Sequence, residues 1–584
     1  MVGRDRLRSR LRVAAGRPGR LGALGAPTLW TAVLLLLLVP IGLFLALAVS
    51  PALLGQGRAW FTLANLGTAL QGSTRQGLVD SLLVATVTAG LSVAIGLGLA
   101  WLTQRTTVAG RRLWGVLMWV VLLTPSFLTA LGWERLIEVD GLLSQMGLPL
   151  AGVRAVFFGP AGVVLVLVTK GVPFAYLAVA NALAALGQEF EDAARVHGAG
   201  RWAALRVTVP ILAPALWAGL AIVFAETISD FGVATTIAST ANFPIATQTL
   251  FAAVDTFPAN FPVAAAVGWL LVASVSLALL AQTRALRGRS YAVLSGRTRP
   301  APRRRRGPWG QAAALAAVGG FFVLSLGVPG LGAVSASLLR ASATTLTWGS
   351  LTDANYVQLL RHATALGPLL LSTRLALVAG TLAVAGGLIV AHLMARRRAG
   401  VLPRLLDLLL LATVGLPGIV LGAGYIFAYN LPLLAHLGWH LYGTIALLGM
   451  AYLANSLPTA SRLLMGPMAQ VQSSLQDAAR VHGGGAARAW RTTVVPLLAR
   501  SLLWAWLFSF TGILFELPIS QLLAPPGQEP LAVAITQAFA TYSYGPGTTL
   551  MVAAVAYALV IVGAGLGAFR LLAPRGWLHI GAAR

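Results

Sequence analysis

The chain has 584 residues, 57% of them apolar and 10% charged, with a mean hydropathy of +0.81; a soluble domain needs far more charge to cover its surface. It contains no cysteine, which excludes disulfides and thiolate metal sites. The net charge of +26 invites a nucleic-acid reading, but the basic residues concentrate in alternate loops between apolar runs, the mark of a polytopic membrane protein.

Residues 1–29 form a basic N-terminus carrying Arg4, Arg6, Arg8, Arg10, Arg12, Arg17 and Arg20. The run "WTAVLLLLLVPIGLFLALAVS" follows from Trp30 to Ser50, long enough to cross about 30 Å of hydrocarbon as a helix. Its "AVS" end has the small residues of a signal-peptidase site, yet the apolar run is long for a signal peptide, so we read it as a span. Further spans are expected at 78–103, 112–133, 160–185, 213–236, 262–283, 310–333, 368–393, 404–427, 441–466, 499–522 and 547–572, giving an all-α membrane protein of about twelve transmembrane helices. Alternate loops then hold about 31 Lys and Arg on one side and about 6 on the other. That asymmetry predicts that both termini, including the tail 573–584, face the cytoplasm.

Between the sixth and seventh spans, residues 284–309 read "RALRGRSYAVLSGRTRPAPRRRRGPW". This Arg-, Gly- and Pro-rich stretch lacks apolar periodicity and is a cytoplasmic linker. Its run Arg303 to Arg306 serves as a topology anchor, or as a contact for anionic lipid or an acidic partner face. The linker divides the chain into 30–283 and 310–572, and these halves correspond. "TKGVPFA" (169–175) lies 285 residues before "ANSLPTA" (454–460), pairing Lys170 with Asn455 and Pro173 with Pro458. Asp230 lies 286 residues before Glu516, and "SLLVATVTAG" from Ser81 resembles "STRLALVAGT" from Ser372. Six spans per half is an even number, so the repeats enter from the same side and are parallel, with a pathway expected on the axis between them.

The strongest repeat is polar. "EDAARVHGAGRWAALRVTVP" (191–210) returns as "QDAARVHGGGAARAWRTTVVP" (476–496), each copy in a cytoplasmic loop. An acid, two alanines and an arginine lead into glycine: Asp192, Ala193, Ala194, Arg195 and Gly198, then Asp477, Ala478, Ala479, Arg480 and Gly483. The alanines allow close approach of another helix, and the glycine ends the first helix in a sharp turn. A second short helix follows, and Pro210 or Pro496 marks the start of the next span. His197 and His482 belong to these knuckles and not to a metal site.

This pattern resembles the EAA loop of the permeases of ATP-binding-cassette importers, and the resemblance covers nearly the whole chain as two fused permease units. Both copies have Asp where Glu is typical, and Thr208 and Thr493 stand where a branched aliphatic residue is usual. The first copy is also one residue shorter between its glycine and its proline. The family implies that each loop forms a coupling helix seated in a groove of an ATPase subunit, so two loops imply two ATPase copies using ATP and Mg. The chain itself lacks a G-x-x-x-x-G-K-[ST] loop, its one lysine being Lys170; it is read as a transport subunit without an enzymatic activity or cofactor of its own. The family also implies a bacterial inner-membrane location and an extracytoplasmic solute-binding protein.

"AETISDFG" (225–232) and "ELPISQLLAPPGQEPLAV" (516–533) are similar to segments of fused ferric-iron-type permeases, with thiamine, phosphonate and polyamine permeases as close relatives. The resemblance therefore favours ferric iron and leaves those solutes open. Ionisable residues inside spans are functional candidates by default: Lys170, Glu226, Asp230, Arg374 and Glu516. Oxygen donors suit a hard trivalent cation, but Asp230 and Glu516 lie close to span ends, where holding a gate or helix packing is the stronger expectation. Lys170 is expected to pair with Glu226 or Asp230, which lie one turn apart on one helix face, or to face a hydrated cavity. An ion-coupled secondary transporter, whose parallel repeats look alike, and an assembly protein are the rival classes.

Overall fold

The computed structural model describes residues 30–187, 208–287, 303–340, 347–396, 415–481 and 485–572, together with 192, 196, 198, 405–407, 409, 410 and 413. Among them the chain is helical, and the extended pairings are two isolated bridges, Thr106 with Arg304 and Leu339 with Leu351. Among the described residues seven helices are long and apolar enough to cross a membrane alone, including Gly72–Arg105, Pro160–Ala185 and Phe261–Leu286. The expected spans at 78–103, 160–185, 262–283, 310–333, 368–393 and 547–572 fall on six of these.

Four expected spans are not continuous. The third bends by 96° between Arg111–Leu123 and the helix beginning at Ser126, because Pro125 cannot donate to the ladder and pulls Thr124 into an extended conformation. The ninth breaks likewise before Pro417, where Gly418–Ala428 starts afresh. The fifth stops at Ile228, and the eleventh stops at Leu514 before a short helix Pro518–Leu523. The two loops that follow hold apolar helices with buried residues, Ala246–Asp255 and Leu531–Ala540.

The repeated serines explain how those helices are held. Ser81 Oγ accepts from the Ala246 N–H at 2.9 Å, and Ser372 Oγ accepts from the Leu531 N–H at 2.8 Å. Each satisfies an otherwise orphan donor in the first turn of a buried helix. Pro173 and Pro458, the other matched pair, both lie inside helices, Pro160–Ala185 and Ile445–Ala469.

The halves exchange their first helices. Helix Ser126–Ile137 of the first half packs on Val328–Leu338 of the second, and Gly418–Ala428 packs on Val39–Ala46 of the first. Both crossings need a missing side chain. A Cβ on Gly132 would lie 2.3 Å from the Pro329 carbonyl oxygen, and one on Gly424 would lie 2.6 Å from that of Pro40. The prolines fit because each follows a π-turn, Leu34–Leu38 before Pro40 and Val323–Gly327 before Pro329, which absorbs the missing donor. Gly132→Val and Gly424→Val should each lower thermal stability by about 2 kcal/mol or more, read as a melting shift of the detergent-solubilised chain. Wild-type melting in both would show that the crossings are looser than drawn.

Candidate functional site

The four breaks meet. Pro125, Ser126, Phe231, Gly232, Leu416, Gly418, Leu517 and Pro518 line one cavity of about 320 Å³, shared by both halves. Lys170, Glu226, Asp230 and Glu516, singled out from sequence one by one, all line it too. Helices interrupted in mid-membrane leave unpaired amides and carbonyls, tolerable only where protein or water meets them, and the charged residues do that here.

Lys170 Nζ donates to the Leu122 carbonyl at 2.5 Å and to the Thr124 carbonyl at 2.7 Å. These are the orphan acceptors at the C-terminal end of Arg111–Leu123, where a cation also complements the helix dipole. Of the two sequence expectations for Lys170, the cavity is met. Its hydrogen bonds go to backbone oxygens, while Glu226 and Asp230 face it across the same space. Asp230 Oδ1 accepts from the Val233 N–H at 2.8 Å. Glu516 Oε1 accepts from the Ile519 N–H and Oε2 from the Ser520 N–H, both at 3.0 Å, with Ser520 Oγ donating to Oε2 as well. Both carboxylates thus cap the helix that restarts after a break. These caps stand in matching places in the two halves.

Glu226 differs. Its side chain is exposed although it lies inside the bundle, so it opens onto the cavity, as does Asn455 at the place matching Lys170. Ser229 Oγ donates to the Gly415 carbonyl at 3.3 Å and links the fifth span to the ninth across the halves. Ser126, Ser229, Thr413 and Thr459 complete the polar lining. Sequence reasoning missed all four, although Pro125 and Pro417 within apolar runs signalled the breaks that expose them. Arg374 is not part of this lining; it lies on the outside of helix Ala363–Arg396.

The repeated phrase is described in part. Asp477, Ala478 and Ala479 lie on helix Ser473–Val481, and Asp192 is helical. Gly198 has φ of +76°, the left-handed turn expected after that helix. Ala193, Ala194 and Gly483 lie outside the described residues. In the second copy the short helix expected after the glycine is not separate: Ala487–Leu514 is one rod, which passes Pro496 by a π-turn at Trp490–Val494; residues 199–207 of the first copy lie outside the described residues. Val196 and Val481, again 285 apart, are each 84% exposed, so both copies hold the same aliphatic side chain out into solvent.

Comparison with known proteins agrees with this architecture. Residues 90–287 match the family described as binding-protein-dependent transport system inner membrane component. The sulfate transport system permease protein CysT of Salmonella typhimurium is 30% identical over 36% of this chain and 75% of its own length. The molybdenum transport system permease protein ModB of Escherichia coli is 27% identical over 35% of this chain and 89% of its own. The ferric transport system permease protein FbpB of Actinobacillus pleuropneumoniae is 24% identical over 75% of this chain and 63% of its own. With its multi-pass helical body and paired polar loops, the chain belongs to the family of binding-protein-dependent inner-membrane transport components, as a permease subunit of an ATP-binding-cassette importer.

Proposed function

We propose that this permease carries ferric iron, handed over by an extracytoplasmic binding protein, through the cavity between two fused permease units, 30–283 and 310–572. The extent of the likeness carries the substrate reading. The ferric relative aligns over three quarters of the chain and so over both halves, whereas the sulfate and molybdate relatives align over about a third. The cavity chemistry is compatible. Glu226 opens onto it with hard oxygen donors of the kind a trivalent cation exchanges between, while Asp230 is held by the Val233 and Gly232 amides and the Ser126 hydroxyl. Both termini face the cytoplasm in this reading, and ATP and Mg act in two partner ATPase subunits, one on each polar loop. Asp192, Ala193, Ala194 and Gly198 form one coupling surface, and Asp477, Ala478, Ala479 and Gly483 the other.

The test is uptake by the chain reconstituted with its partner ATPase and binding protein. Labelled ferric iron should accumulate only with the binding protein and hydrolysable ATP present. Accumulation of sulfate, molybdate or thiamine in its place would overturn the substrate and keep the machinery. Uptake driven by an ion gradient without ATP would overturn the machinery.

A further inference from the structure

Arg374 lies on the exposed face of Ala363–Arg396, among the exposed Leu370, Leu377 and Val378. An arginine among lipid-facing leucines is costly unless its head reaches a polar partner. Arg374 takes no part in the ion pairs of Arg135 with Glu138 and of Arg462 with Asp407. It lines a groove of about 540 Å³ with Leu370, Leu371, Ile445, Gln528 and Glu529. Ile445 opens its helix just after the exposed Trp439 and Tyr442, aromatic residues of the kind that settle at the membrane–water boundary. The groove therefore has an apolar wall at headgroup level, one cation and one carboxylate. The Gln537 amide lies with one end 2.7 and 2.9 Å from the two Glu529 carboxylate oxygens; assigning its nitrogen to that end, the only choice that lets it donate, makes it hold that carboxylate in place.

The other half shows that this polarity is not required by the fold. The bonds from Ser81 to Ala246 and from Ser372 to Leu531 put the two halves in register. Two residues after each serine stand Leu83 and Arg374; three and two residues before each bonded amide stand Phe243 and Pro244, and Gln528 and Glu529. Asn242 and Gly527, one position earlier, both have positive φ, so the backbones agree there. One backbone thus carries three apolar residues in one half and three polar ones in the other. Packing cannot account for a cation and an anion introduced together.

We propose that this groove binds one phospholipid with a primary-amine headgroup, its phosphate on Arg374, its ammonium on Glu529 and an acyl chain along Leu370, Leu371 and Ile445. A phosphate alone would satisfy Arg374 but would be repelled by Glu529, and a zwitterion with its charges in that order satisfies both. The full chain, held in nanodiscs of equal parts phosphatidylethanolamine, phosphatidylglycerol and phosphatidylcholine, is released for native mass spectrometry. Wild type should retain phosphatidylethanolamine at least fivefold over each other lipid. Arg374→Leu should bring all three to the bulk ratio. Glu529→Gln, a conservative change near the surface, should keep a bound phospholipid and lose the preference for the amine. If Arg374→Leu does not fold, Arg374→Gln reads the same contact. Equal retention of the three lipids by wild type, a preference for phosphatidylglycerol, or enrichment unchanged in the variants would overturn the site.

Discussion

Lys170→Met should reduce transport at least tenfold and lower the melting temperature, while the chain still inserts in the membrane. The substitution removes two charge-assisted hydrogen bonds, to the carbonyls of Leu122 and Thr124, in a place where only cavity water replaces them. A hydrogen bond of this kind contributes about 1.5–3 kcal/mol, so partial replacement still leaves a deficit of about 1.4 kcal/mol or more, which is tenfold in a rate. The break at Thr124 and Pro125 would lose the group that fixes its angle. A second effect follows from charge: Glu226 and Asp230 would share the cavity with no cation. Glu226→Gln or Asp230→Asn in the Lys170→Met background should therefore restore part of the loss. The double-mutant cycle separates the two effects. Losses that simply add would mean that Lys170 acts through the carbonyls alone and that the carboxylates do not sense it. Asn455→Lys asks the converse question, since it adds a cation where the second half has none; Glu516 already gives both carboxylate oxygens to its own helix, so this change should not rescue Lys170→Met.

How much of this was legible in the sequence depends on the range of the interaction. The twelve apolar runs and the paired polar phrases are local properties, and six of the expected spans fall on single long helices among the described residues. The four cavity residues were legible one by one, because an ionisable side chain inside an apolar run stands out. Their convergence was not, because nothing local brings Glu516 to Lys170. The breaks were half-legible. Pro125 and Pro417 are visible, but hydropathy does not fall across them, so a window over 112–133 or 404–427 sees one continuous span. Ser126 and Thr413 were hidden for the same reason: small hydroxylated residues are ordinary in a membrane helix until a break turns them toward a cavity. The exchange of first helices is least legible of all. Gly132 and Gly424 look like any membrane glycine, and only the approach of the Pro329 and Pro40 carbonyls gives them a purpose.

Gly198→Val combined with Gly483→Val should abolish uptake and leave insertion and melting near wild type, if the paired polar loops couple ATP hydrolysis to transport. The reason lies in backbone conformation and not in space. Gly198 sits at φ of +76°, and a Cβ there would meet nothing within 4 Å among the described residues, so space is not the constraint they show. A β-branched residue is nonetheless a poor fit in the left-handed region, at a cost of about 1–2 kcal/mol. The loop relieves that cost by leaving the turn, which swings Val196 and the helix bearing Asp192 out of position. Membrane-embedded packing is untouched, whereas a surface that must seat in a partner is lost. A graded series makes the argument testable at Gly198 alone. Asn tolerates positive φ, Ala less so and Val least, so uptake should fall in the order Gly, Asn, Ala, Val, while side-chain volume would order Ala ahead of Asn. ATPase activity of the assembled complex should become independent of the binding protein as uptake falls. Wild-type uptake in the double valine variant would remove the coupling role from these loops. An Asn variant worse than Ala would show that the turn is limited by space, and the left-handed conformation would then not be the reason for glycine.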